Sequence, residues 1–352
     1  MGNGTILELK GKRSKRKWKL FLVVLLLAGG GTFLLKEKIR QTFFVDYEKP
    51  FENVIIINNE RALDDSQEEG EFRFAVFGDT QDLNRKDKDG HIQNAVASVK
   101  KSDVDFLISV GDQISSCEKT KCKKKIVDWK KIIGDSLLEK TFVVIGNHDR
   151  TGGSKSDKYW REAFAFPENG PEDFLESVYS FDYENSHFVF LNSEKPEEHL
   201  IDNVQRNWLT RDLENNDKKN VFVFFHEPAF PMKSKVGESL DEMEEEGDLF
   251  WEIVDEFNVT AVFNGHEHIH SRRLIDSDVF PEAQNEIYQF IVGNTDAYDH
   301  KKPSKKRVKE EKIDFYYQEN VFLIVEVKDQ EITVELYEVE GKLVDIFEFS
   351  KS

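Results

Sequence analysis

Cysteine is scarce in this chain: 352 residues carry only Cys117 and Cys122. One pair five residues apart does not have the Cys-x-x-Cys spacing of a zinc knuckle, and no second pair exists to complete one. The pair either closes a small disulfide loop in an oxidising compartment or stays as two thiols. Internal repeats and low-complexity tracts are also missing, which excludes solenoid and array architectures. Positive charge is deficient beyond the N-terminus. Residues 1–40 hold ten Lys or Arg against two Glu, whereas residues 41–352 hold 39 basic and 66 acidic side chains, a net of −27. Such an acidic body repels polyanions, so duplex DNA and long RNA are poor partners. No cationic groove with stacking aromatics is legible either, which sets a nuclease aside. A small phosphorylated substrate stays open, because bound cations would dominate the local field.

Long apolar runs are equally rare. The uncharged segment 20–35 spans sixteen residues, and at about 1.5 Å each they reach roughly 24 Å, short of a ~30 Å bilayer core. Lys10, Lys12, Arg13, Lys15, Arg16, Lys17 and Lys19 precede it, which predicts the N-terminus inside and the body outside. Trp18 and the stems of Lys19 and Lys36 can extend the span. The expected organisation is a basic cytoplasmic tail (1–19), a transmembrane signal-anchor (20–35), a stalk (36–70) and one catalytic-size body (71–352). The body would then face away from the cytoplasm on a single-pass cell-membrane anchor. A cleaved signal peptide, with small residues at Ala28 and Gly30, is the alternative and would release the body as a secreted protein. Nothing in the sequence sets an oligomeric state.

What is present is a series of apolar runs that each end on potential metal ligands. Residues 72–77 lead into Gly78-Asp79, 106–110 into Gly111-Asp112, and 141–145 into Gly146-Asn147-His148-Asp149. Residues 221–225 lead into His226, and 259–263 into Asn264-Gly265-His266-Glu267-His268. Phe, Val and Ile runs with little alternation read as strands buried on both faces of an α/β sheet. Ligands of such sheets gather outside the carboxyl ends of the strands, where these residues fall. Helical spacing within 91–101, 204–213 and 249–257 supplies the covering helices. Residues 320–327, 332–339 and 343–349 read as an antiparallel meander closing the domain.

The ordered series Asp, Gly-Asp, Gly-Asn-His-Asp, His, Gly-His-x-His resembles the calcineurin-like metallophosphoesterase superfamily from about Glu71 to the C-terminus. The resemblance implies a four-layer α/β/β/α sandwich of two mixed sheets, here preceded by the transmembrane helix. It implies hydrolysis of phosphate mono- or diesters by a hydroxide held between two metal ions. Asp79 and His268 would hold the first metal, Asp112 would bridge, and Asn147, His226 and His266 would hold the second. His148 would be the catalytic residue, acting on the leaving oxygen as a general acid. Asp149 would cap a turn or orient a neighbour, and the four glycines would allow close backbone approach.

Two departures stand out. The first motif reads Asp79-Thr80-Gln81 where the family usually has Asp-x-His, so Gln81 either ligates or binds water or substrate. An amide oxygen favours Mn2+ over Zn2+, with Fe or Zn2+ still possible. Ser115 stands where the protein-phosphatase branch carries an Asp beside the catalytic His. Among the remaining signals, His270 is expected at the surface rather than on a third metal. Arg272 and Arg273 either clamp a phosphate or stay solvated. The lysines of the 115–125 loop are read as a solvated face or a lure for anions, and 301–307 as a solvated loop. A catalytically silent metal-binding or interaction module on the same fold is the competing class.

Overall fold

The apolar runs become short strands, each stopping where the chain turns polar. The computed structural model describes residues 71–81, 90–118, 121–232, 234–298 and 303–351. The chain begins with β1 (Glu71–Phe77), α1 (His91–Val99), β2 (Phe106–Ser109), α2 (Lys121–Ile133), α3 (Asp135–Leu138) and β3 (Thr141–Val143). Next come α4 (Ser154–Ala163), the hairpin β4 (Tyr179–Tyr183) and β5 (Ser186–Phe190), α5 (Asn203–Glu214), β6 (Asn220–Phe224), α6 (Glu244–Glu256) and β7 (Ala261–Asn264). It ends with β8 (His270–Ile275), β9 (Ile287–Val292), α7 (Lys305–Glu310), β10 (Phe315–Tyr317), β11 (Val321–Lys328), β12 (Glu331–Glu338) and β13 (Leu343–Ser350).

Among the described residues these strands form two mixed sheets, ordered β13-β12-β11-β1-β2-β3 and β10-β8-β9-β7-β6-β5-β4. β1, β2 and β3 are mutually parallel, as are β5, β6, β7 and β9. The C-terminal meander joins the first sheet through antiparallel β11 against β1.

Strand periodicity sets the layers. In β6, Phe222 and Phe224 point toward the first sheet, while Val221 and Val223, with Phe225 just beyond the strand, point the other way. The inward phenylalanines meet those of the first sheet: Phe74 lies edge-on to Phe188 and to Phe222 at 5.5 Å, and Phe106 to Phe188 at 5.2 Å. The outward set receives Leu209 and Leu213 of α5 and Phe250, Trp251 and Val254 of α6. The first sheet is packed by Ile92, Val96 and Val99 of α1 and by Ile126, Trp129 and Ile133 of α2. The order is therefore helix, sheet, sheet, helix.

The expected tail, span and stalk lie outside the described residues, and among the described residues no helix is long and apolar enough to cross a membrane. Two expected loops are partly helical. Lys121–Lys125 opens α2, and Lys305–Arg307 opens α7, where Ser304 Oγ accepts the Arg307 amide.

Candidate metal centre

The exits of the two sheets converge because their backbones hydrogen-bond beyond the ladders. Asp79 N donates to Gly111 O, Thr295 N to Gly78 O, Asp296 N to Asp79 O and Gly265 N to His226 O. Asp79, Asp112 and His266 then adopt φ of 51°, 54° and 68°, a left-handed turn that Asp and His tolerate better than most side chains. The turn aims their side chains into one space. Two glycines keep that space open: a Cβ on Gly111 (φ 106°) would strike the His226 ring, and one on Gly146 would strike the Asp112 carboxylate.

Ligand atoms of Asp79, Asp112 and His226, all buried, lie within 4.8 Å of one another. His226 Nε2 is 3.5 Å from Asp112 Oδ1 and 3.2 Å from Asn147 Oδ1. His268 Nε2 is 3.4 Å from Asp79 Oδ1 and 3.1 Å from Gln81 Nε2, which also reaches Asp112 Oδ2 at 3.4 Å. The His266 ring stands 5.2 Å from that of His226, and its backbone N–H donates to Asp79 Oδ2 at 2.9 Å. His148 sits at the mouth, its side chain 41% exposed, with Nε2 3.9 Å from Asp112 Oδ2. All eight site residues expected from the sequence therefore gather here.

The imidazoles are oriented by main-chain carbonyls, which can only accept. His226 Nδ1 donates to Val110 O at 2.8 Å, His268 Nδ1 to Tyr298 O at 2.6 Å, and His266 Nε2 to Glu238 O at 2.7 Å. In the neutral rings, Nε2 of His226 therefore presents a lone pair to the Asp112 carboxylate and the Asn147 amide oxygen, and Nε2 of His268 presents one to the Asp79 carboxylate while it can accept from the Gln81 amide N–H. Lone pairs facing lone pairs repel unless a cation lies between. Asp79 Oδ1 is buried without a hydrogen-bond partner, as an unused ligand atom would be.

Electrostatics agree. Burial would lower the His226 imidazole, but Asp112, Asp79 and Glu194 override it and hold it well above its ordinary range. Burial would raise the Asp112 carboxyl, yet His226 holds it below the usual carboxylate range. Burial does raise Asp79. A proton on His226 balances charge that a metal ion would balance better.

A family model described as calcineurin-like phosphoesterase matches residues 72–270. The chain belongs to that family. Members generally bind two metal ions, and the donor set here fits such a pair. Among solved structures, the chain is similar to the purple acid phosphatase PPD1 from yellow lupin (Lupinus luteus) seeds, at 15% identity and a TM-score of 0.62. That match covers 80% of this chain and 54% of the lupin protein, so the chain spans about half the length of that relative. PhoD matches at 11% identity and a TM-score of 0.59, covering 80% of this chain and 70% of its own. GAP50, the anchor in the inner membrane complex of Plasmodium, matches at 16% and 0.56, covering 80% and 90%. These likenesses establish the fold. No curated protein matches the chain.

Against the phosphoesterase pattern, the departures acquire physical content. Ser115 supplies no carboxylate, but its main-chain carbonyl accepts from His148 Nδ1 at 2.9 Å. Asp149 is a stitch: its carboxylate accepts from the backbone of Gln113, Ile114 and Gly146 at 3.3, 3.1 and 3.0 Å. Cys117 and Cys122 form a disulfide. Other expectations are overturned. His270 is 3% exposed in the core of β8, where burial and then Arg272 push its imidazole down to about 3. Arg272 lies 3.7 Å over the Phe347 ring and pairs with Asp345 at 3.0 Å, while Arg273 pairs with Glu311 at 3.4 Å. Both guanidiniums serve packing, not phosphate.

One neighbour of the site is hard to single out from the sequence alone. Glu227, fully buried beside His226, pairs through Oε2 with His199 Nδ1 at 2.7 Å and brings Oε1 to 3.9 Å from His266 Nε2. Its signal is its place, a carboxylate directly after His226 at a strand exit.

Proposed function

We propose that this chain is a membrane-anchored phosphoesterase with two metal ions, its catalytic domain extracytoplasmic, hydrolysing small phosphate mono- or diesters. The observation carrying this reading is the pair of acceptor-on-acceptor contacts, His226 Nε2 against Asp112 Oδ1 and Asn147 Oδ1 and His268 Nε2 against Asp79 Oδ1, in which neither side can donate when the rings are neutral. Asp79, His268 and Gln81 would hold one ion, Asn147, His226 and His266 the other, and Asp112 both. His266 would ligate through Nδ1, since Nε2 is committed to Glu238 O. The Gln81 amide is symmetric in shape, so a half-turn presents Oε1 to the ion and favours Mn2+ over Zn2+, with Fe also acceptable. Bound cations supply Lewis-acid polarisation of the phosphoryl oxygens and acidify a water for in-line attack.

The chain's own residues would do the rest. Because His148 Nδ1 is engaged with Ser115 O, the transferable proton resides on Nε2, and the acid form is the imidazolium. At the mouth of the site it would hand that proton to the departing oxygen. The apolar segment 20–35 with its basic flank supports the anchor, and a disulfide fits a body outside the cytoplasm. The test is turnover of p-nitrophenyl phosphate against bis-p-nitrophenyl phosphate by the metal-loaded full chain, beside His148→Ala. Hydrolysis lost in the variant supports the enzyme, and the preferred ester separates mono- from diesterase. No hydrolysis of either by loaded protein would mean a silent binding module.

A further inference from the structure

His148 depends for its orientation on a main-chain carbonyl, and a carbonyl is only as well placed as its loop. The loop at 113–118 is fixed from two sides. On one side, Asp149 takes the amides of Gln113 and Ile114, Thr151 Oγ1 takes Cys117 N at 2.7 Å, and Ser156 Oγ donates to Cys117 O at 3.3 Å. On the other, two residues of α2 grip it. Lys125 Nζ donates to Ser115 Oγ at 3.0 Å, Ser116 O at 2.9 Å and Ser116 Oγ at 2.7 Å, and Cys122 is bonded to Cys117. Both half-cystines are buried, at 2% and 0% exposure.

We propose that the Cys117–Cys122 disulfide and Lys125 form a clamp that positions His148 for proton delivery. This rests on the reading of His148 as the leaving-group acid. A cross-link between residues five apart closes a short loop, which constrains the unfolded chain less than a long-range bridge. Its consequence is local: it ties the segment carrying the Ser115 carbonyl to the first turn of α2. Lys125 adds three hydrogen bonds to the same segment, at Ser115 and Ser116. Neither group touches the metal ligands, so the clamp acts on one step of the reaction and leaves metal binding intact.

The leaving group reports that step. A good leaving group such as p-nitrophenolate departs with little protonation, whereas an alkoxide requires it. The experiment measures kcat for an alkyl ester and its p-nitrophenyl counterpart with the full chain, C117S/C122S, K125M, K125R and H148A, each with its metal content. We expect the double serine variant and K125M to lose at least about tenfold more rate on the alkyl ester than on the p-nitrophenyl ester. Metal content should stay unchanged, and K125R should recover most of the loss. Equal losses on both esters, or none, would overturn the clamp. If H148A itself loses equally on both, the general-acid reading fails, and the clamp with it. Should C117S/C122S not fold, the contrast of K125M with K125R decides the question by the same criterion.

Discussion

His226 Nε2 stands 3.5 Å from Asp112 Oδ1 while its other ring nitrogen is held by the Val110 carbonyl at 2.8 Å. The arrangement fixes which nitrogen faces the carboxylate and leaves the gap to be filled by a proton or a metal ion. Since Asp112, Asp79 and Glu194 hold the imidazole well above its ordinary range, the proton competes with the metal even near neutrality.

Metal affinity should therefore rise with pH and fall as pH drops, because ligation needs the neutral ring. Calorimetric titration with Mn2+ in buffers of different ionisation enthalpy should detect protons released on binding. A flat affinity between about pH 5.5 and 8, with no proton release, would contradict a proton held on His226 in the metal-free site.

Gly111→Ala and Gly146→Ala should abolish metal binding, because the added methyl meets the His226 ring in one case and the Asp112 carboxylate in the other. At Gly111 the substitution also adds backbone strain at φ 106°, on the order of 1–3 kcal/mol. Gly153→Ala is the control: φ is 56°, but no atom lies within 4 Å of the new Cβ. It should cost on the order of 1–3 kcal/mol through backbone strain alone and leave metal content unchanged. Retained stoichiometry in both site variants would refute the close-approach account.

Stability should carry a pH signature remote from the metals. Burial would depress His187, but the Asp182 and Asp212 carboxylates at 2.7 and 2.9 Å raise its imidazole to about 9. A group raised in the folded state stabilises fully below its unfolded value near 6.5, and that contribution is lost as pH rises through about 9. Its size is on the order of 3 kcal/mol. Denaturant midpoints of the wild type should fall between pH 6.5 and 9 more steeply than those of His187→Gln. Parallel profiles would exclude His187 as the source.

Phe74 has no exposed surface and stacks on Phe106 at 5.4 Å while meeting Phe188, Phe222, Phe224 and Phe263 edge-on. Phe74→Ala should cost about 3–5 kcal/mol. Urea unfolding of the metal-free protein checks this. A loss below about 1 kcal/mol would mean that the sheets are not held together at this point.

Much of this architecture is legible in the residues alone. Strands that run into the site are buried on both faces, so their sequences are nearly uniform in Phe, Val and Ile and easily read. The Asp, Asn and His residues at their exits stand out because a hydrophobic core has no use for polar residues there. The hairpin β4–β5 and strand β8 are less legible, since Ser180, His187, Ser271 and Arg273 interrupt their apolar pattern. His270 and the two arginines mislead for one reason. Charge in a sequence suggests solvent, whereas Arg272 and Arg273 are accommodated by Asp345, Glu311 and the faces of Phe347 and Phe230. The Ser115 carbonyl is invisible, because a residue type says nothing about where its main chain points. Glu227 is easily passed over because its partner, His199, lies 28 residues away in sequence.

The central claim is that the facing acceptors of this site hold a pair of metal ions. Its most direct test is elemental analysis of the purified full chain after Mn2+ loading and removal of free metal, with Asp112→Ala alongside. The account predicts two ions per wild-type chain and one or none in the variant. A wild-type chain that binds none, or a variant that keeps both, would contradict it.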